Sequence, residues 1–173
     1  LLVVPLLSYA SPTSDKLLAE GSQPLAQQHY EQALEKFREA RQADPSDPET
    51  WFFEGLALNR LGRYTEALER LNEAVKRQSS QADLDFELGW TLLKLNRWEE
   101  ALAALERYNN NHPGRGQANE FAGRAYLNLG RYAQAQEAFK KALEQDQDLR
   151  PTVLFYMARL AQEQKNTGLA QES

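Results

Sequence analysis

The sequence predicts an all-α chain, built as a stack of helical hairpins. Three observations lead there. First, the segment HYEQAL (residues 29–34) returns as RYTEAL (63–68), RWEEAL (97–102) and RYAQAQ (131–136), each start 34 residues after the one before. A fixed period of that length marks an array of two-helix units, each burying its apolar face on the next. Second, three residue classes keep the same phase: Gly21, Gly55, Gly89 and Gly123; Ala33, Ala67, Ala101 and Ala135; and Phe37, Leu71, Leu105 and Phe139. Third, turn formers recur between the helices, with Gln28, Gly62, Asn96 and Gly130 at one position of the period.

Composition narrows the function. The chain has 173 residues and a net charge of −5, with acidic and basic positions interleaved. It lacks the basic face that a nucleic acid requires. There is no cysteine, hence no disulfide framework and no thiolate metal site. No run of eighteen apolar residues is present, so no full membrane span is expected.

Along the chain, residues 1–13 read as an apolar arm followed by a linker. The run LLVVPLL (1–7) resembles the apolar part of a secretory signal, with Ser8 and Ala10 at cleavage-like spacing; an arm or the tail of a preceding helix is the alternative. SPTS (11–14) reads as the linker, with turn chemistry. Four 34-residue units follow, over 14–47, 48–81, 82–115 and 116–149. In each, the glycine of the first helix and the alanine of the second let two backbones approach. The Phe or Leu one turn on then fills the space beyond.

Helix ends are also encoded. Asp47 caps the helix that Pro48 opens. Gly62 and Gly130 stop first helices, with Gln28 and Asn96 in the same role. Pro45 and Pro113 mark unit ends, and Pro24 should kink or delay its helix. Residues 150–173 open at Pro151 as a fifth first helix, expected to be either a cap or a fifth unit cut short. The segment 166–170 reads as a turn leading into a second helix, which favours the cut unit.

These residues resemble the tetratricopeptide repeat family. Trp51, Gly55, Tyr64, Ala67, Leu71 and Ala74 carry its pattern in the second unit; Gly123, Gly130, Tyr132, Ala135, Phe139 and Ala142 carry it in the fourth. The likeness covers 14–149, and Tyr108 departs from it by standing where the family has a small alanine. The resemblance implies an α-α superhelix, a right-handed solenoid whose first helices line a concave groove. Groove positions carried over from the family are Phe52, Leu56, Asn59, Phe86, Trp90, Leu93, Glu120, Arg124 and Leu127, with Glu49, Asp83 and Gln117 at their edge. Leu154 and Ala158 extend them on the fifth helix. The middle of this set reads as aromatic and aliphatic rather than basic. Some family members clamp a carboxylate with a basic set; only Arg124 represents it here.

No catalytic set can be assembled. His29 and His112 lack partners at metal spacing and read as surface residues. Gly114-Arg115-Gly116 has neither the strand nor the third glycine of a dinucleotide loop. Asp44, Asp47 and Glu49 lack calcium-loop spacing and read as helix caps. The expectation is a non-enzymatic scaffold or adaptor, without cofactor or metal, that binds an apolar or amphipathic segment of a protein or peptide partner. No nucleic acid is expected, and self-association through residues 1–7 is a further option. The alternatives are an accessory domain of a larger enzyme or a structural component of a cell-envelope assembly. The compartment follows the N-terminus: periplasmic or secreted if 1–7 is a signal remnant, cytoplasmic otherwise.

Overall fold

A computed structural model describes residues 11–171, with side chains placed through residue 165. The described residues are helical throughout apart from short connections. In order they form α1 (Pro12–Ala26), α2 (Tyr30–Ala43), α3 (Pro48–Arg60), α4 (Tyr64–Lys76), α5 (Leu84–Lys94), α6 (Trp98–Asn111), α7 (Gly116–Asn128), α8 (Tyr132–Gln145), a 3-10 turn (Gln147–Leu149) and α9 (Arg150–Gln171). They divide into two units, 11–87 and 88–171.

In the first unit α1 packs on α2, α2 on α3 and α3 on α4. Its core joins Ala33, Leu34, Phe37, Ala57, Leu58 and Ala67, with Phe53, Leu18, Leu25 and Leu61 against them. In the second unit α7 packs on α8 and α8 on α9. There the core joins Leu127, Ala135, Phe139, Ala142, Val153 and Leu160.

The periodic glycines are explained by close approach, with one refinement. A Cβ added to Gly21 would lie 2.4 Å from Phe37 Cε1; one on Gly123 would lie 2.5 Å from Phe139 Cε1. At Gly55 and Gly89 the same atom would meet Leu71 Cγ at 2.8 Å and Leu105 Cγ at 2.6 Å. The large residue therefore sits directly over the glycine, rather than in the space beyond it. Alanine at 33, 67, 101 and 135 is fully buried at the same interfaces.

First helices end as the turn residues predict. Gly62 and Gly130 have φ of 74° and 69°, and Gln28 and Asn96 take the same left-handed conformation at 61° and 59°. Each is followed by an N–H that reaches back to a carbonyl five residues earlier: Arg63 to Leu58 at 2.9 Å, Arg97 to Leu92 at 2.9 Å and Arg131 to Tyr126 at 2.9 Å. This is the Schellman arrangement, which satisfies carbonyls the helix leaves orphaned. Second helices start without a side-chain cap. Arg63 and Arg97 instead reach three residues forward to Glu66 and Glu100, at 2.6 Å in both cases.

Asp47 does cap α3, accepting from the Glu49 N–H at 3.0 Å, and also holds the Ser14 hydroxyl at 3.1 Å. Burial raises its carboxyl above the usual carboxylate value, against the pull of these donors.

Three expectations are corrected. Residues 11–14 are not a linker: Ser11 caps α1 and Pro12 occupies its first turn, because Ser-Pro is a helix start as well as a turn signal. Pro24 does not delay α1, which begins at Pro12; it falls two residues before the helix ends. No turn forms over 166–170, where α9 runs on to Gln171. Gly168 costs that helix about 1 kcal/mol, too little to end it alone. Residues 1–10, and with them the apolar run, lie outside the described residues.

Candidate functional site

The groove residues carried over from sequence fall on both units. In the first unit, Phe52 is 3% exposed and packs edge-on against Phe53 at 5.2 Å. Leu56 and Phe86 are half-buried. Asn59 is buried, and its Nδ2 donates to the Glu87 carboxylate at 2.9 Å. Arg60 completes that contact with Nη2 2.7 Å from Glu87 Oε1. Asn59 and Glu87 thus tie α3 to the first turn of α5, within the first unit, and Phe52 serves the core.

In the second unit, Leu93 and Leu127 are buried, whereas Trp90 and Arg124 are half-buried. Trp90 of α5 stacks on Phe121 of α7, with centroids 4.8 Å apart and planes at 28°. Lys94, one turn along α5, places Nζ 4.2 Å from the Trp90 ring centre. The Arg124 guanidinium stands 5.8 Å from Trp90, 5.5 Å from Phe121 and 5.0 Å from Tyr156 of α9. Cations over aromatic faces gain about 0.5–2 kcal/mol, more as water is removed. Beside them opens a cavity of about 300 Å³ lined by Leu93, Lys94, Trp98, Arg124, Tyr156 and Arg159. Asn96 and Asn128 close its rim, and Arg159 donates to Asn128 Oδ1 at 3.3 Å.

Under this surface lies Glu120, 2% exposed. Arg124 Nη1 is 3.5 Å from Glu120 Oε1, and that oxygen has no hydrogen-bond partner. Burial raises the Glu120 carboxyl above its usual value, with Arg124 opposing. Burial likewise lowers Lys94, helped by repulsion from Arg124.

The neighbourhood of Trp90 is therefore aromatic, as expected, but also cationic, where the expectation was aromatic and aliphatic rather than basic. Lys94 and Arg159 were missed because neither falls on a groove position of the period. The pairing Trp90–Lys94 at i, i+4 was the available signal. His29 is exposed, as expected for a surface residue. His112 is more enclosed than expected: half-buried, it stacks on Tyr108 at 4.5 Å and caps α6 with Nδ1 3.2 Å from the Tyr108 carbonyl. Among the described residues, no cluster of His, Asp and Glu could hold a metal, and no helix is long and apolar enough to cross a membrane.

Several solved structures share this architecture. MamA from Desulfovibrio magneticus RS-1 superposes with a TM-score of 0.73 at 21% identity, covering 91% of this chain and 98% of that one. PilF of Pseudomonas aeruginosa gives a TM-score of 0.72 at 25% identity, over 92% of this chain and 72% of that one. YrrB, described as a tetratricopeptide repeat protein with an unusual peptide-binding site, gives 0.68 at 22% identity, over 80% and 76%. A sequence comparison with curated proteins returns no match. The profile described as tetratricopeptide repeat matches residues 18–83, 54–116, 86–149 and 122–170, which together span nearly the whole chain. The chain belongs to the tetratricopeptide repeat family.

Proposed function

We propose that this protein is a non-catalytic scaffold that binds an amphipathic segment of a partner protein at the surface formed by Trp90, Lys94, Arg124 and Tyr156. The observation that carries this reading is the half-buried Trp90, held by Phe121 and flanked by two cations beside an open cavity. Pre-positioned aromatic and arginine side chains of this kind are the usual anchors of protein interfaces. An apolar side chain of the partner would cover Trp90 and Tyr156, and an acidic or carbonyl group would meet Lys94, Arg124 and Arg159. Leu93 shapes the floor rather than the contact, and Leu127 belongs to the core. Membership of the repeat family, and the peptide-binding site named for YrrB, support a binding role.

The test is affinity capture from the source organism with the parent chain and with Trp90→Ala, followed by mass spectrometry. A protein recovered by the parent and lost with the helical variant supports the reading. An identical catch from both overturns it. Placement outside the cytoplasm, and self-association through residues 1–7, are further proposals. They are tested by fractionating cells that express the full reading frame and by light scattering after deletion of residues 1–10.

A further inference from the structure

A second cluster stands on α2, α3 and α4 of the first unit, on residues that the proposed site does not use. At its centre is Glu54, 1% exposed. Three arginines share this one carboxylate: Arg41 Nε at 2.5 Å, Arg70 Nε at 3.1 Å and Arg38 Nε at 3.5 Å. One helical step from Glu54, the Trp51 ring carries Arg77 at 4.4 Å, Arg41 at 4.8 Å and Arg70 at 5.7 Å, and its Nε1 donates to the Pro45 carbonyl at 2.9 Å.

A single guanidinium would neutralise Glu54, so the other two are surplus to the fold's electrostatic need. Each arginine is also only partly used. All three spend Nε on Glu54, and the Nη nitrogens of Arg38 and Arg41 have no hydrogen-bond acceptor among the described residues. Nearby carboxylates offset the surplus only in part. Glu73 pairs with Arg77, and Glu69, itself 63% exposed, stands 3.8 Å from Arg70 Nη1. The side chains of Arg38, Arg41, Arg70 and Arg77 remain 40%, 24%, 27% and 32% accessible. They are fixed by Glu54 or against Trp51; the outer nitrogens of Arg38 and Arg41 face no acceptor among the described residues, whereas Arg77 Nη1 is held by Glu73 and Arg70 Nη1 stands beside Glu69. Such pre-organisation lowers the entropy lost when an oxyanion is bound.

The layout selects the ligand. Arg38 and Arg41 lie one turn apart on α2; Arg70 lies on α4 and Arg77 caps its C-terminus two turns on, about 10 Å along the axis. Three of the guanidiniums meet at Glu54, and Arg77, against the Trp51 ring, extends the set into a short row. Acidic side chains on alternate residues of an extended chain recur about every 7 Å on one face, a spacing that such a row can follow. We propose that the α2–Trp51–α4 face binds an extended acidic segment of a partner protein, as a second docking surface independent of the Trp90 site. On a chain of net charge −5, this face would also steer such a segment to one place.

The experiment measures fluorescence anisotropy of a labelled decapeptide of alternating glutamate and serine, at low salt, with the glutamine-for-glutamate peptide as control. The glutamate peptide should bind about tenfold or more tightly than the control and weaken as salt is added. Arg38→Gln removes the most exposed arginine, the one with the longest contact to Glu54, and should weaken binding about fivefold with helicity unchanged. Arg77→Gln should act in the same direction. Glu54→Gln, by leaving the guanidiniums uncompensated, should tighten binding, which a purely structural role for the arginines does not predict. Equal affinity for the two peptides, or unaltered affinity in both arginine variants, overturns the proposal. So does displacement of the peptide by an equal concentration of inorganic phosphate, which would mark a single-anion site.

Discussion

Gly123→Ala tests the close approach on which each hairpin depends. On an exposed helix this change would stabilise the fold by about 1 kcal/mol, because alanine loses less backbone entropy than glycine. At position 123 the added methyl would lie 2.5 Å from Phe139 Cε1, 2.6 Å from Cδ1 and 2.9 Å from Cζ. Phe139 is fully buried and stacks on Tyr156 at 6.0 Å, so its ring has no free direction in which to move. Overpacking of this kind costs about 1–3 kcal/mol, and the clash of a whole aromatic edge belongs at the upper end. The net expectation is a loss of about 1–2 kcal/mol, or about 2–8 °C in melting temperature. Urea unfolding followed by circular dichroism at constant m-value is the assay. Adding Phe139→Leu should shrink the loss, with the double variant more stable than additivity predicts by about 1 kcal/mol. A Gly123→Ala chain as stable as its parent, or strictly additive energies, would refute the packing argument.

Other expectations follow from the buried polar groups. Asp47→Ala should cost about 1–2 kcal/mol by removing the α3 cap and the Ser14 contact, whereas Asp47→Asn keeps an acceptor and should stay within about 0.5 kcal/mol of the parent; equal losses would show the cap to be idle. Glu120 has a folded-state carboxyl raised above its ordinary value of 4.5. The folded chain therefore holds that proton more tightly than the unfolded one. Stability contributed by protonated Glu120 is present below the ordinary value and is lost as pH rises through the raised one. The stability of the parent minus that of Glu120→Gln should thus decline with pH across this window, measured by thermal melts. A flat or rising difference would contradict it. Trp90→Ala should leave helicity intact while weakening the partner.

Much of the architecture was legible because packing imposes a phase on the sequence. The Gly–Phe and Gly–Leu pairs and the left-handed stops recur every 34 residues, since each hairpin meets the same geometric demand. The local exceptions were harder to read. Ser11-Pro12 has the composition of a turn and of a cap alike, and the choice between them rests on Asp44, whose Oδ2 accepts from the Ser11 N–H at 3.1 Å. The continuity of α9 through Gly168 was hidden because its helix cost is small beside that of a proline.

The candidate site was legible in its aromatic residue but not in its charge. Trp90 and Arg124 fall on groove positions of the period. Lys94 and Arg159 arrive from the next turn of α5 and from α9. The family resemblance marked Phe52, Leu93 and Leu127 as groove-lining, yet all three are buried, because a repeat position gives a direction and not the depth to which a neighbour covers it. The arginines around Glu54 were invisible for a similar reason. Arg38 and Arg70 stand 16 residues before and after it, a spacing that acquires meaning only once α2 and α4 flank α3.

The claim that this chain holds a partner through the Trp90 surface is tested most directly by calorimetric titration of the captured partner's binding segment into the parent chain and into Trp90→Ala. A loss of about 2 kcal/mol, roughly thirtyfold in Kd, is predicted for the variant at unchanged helicity. An unchanged Kd would contradict the account.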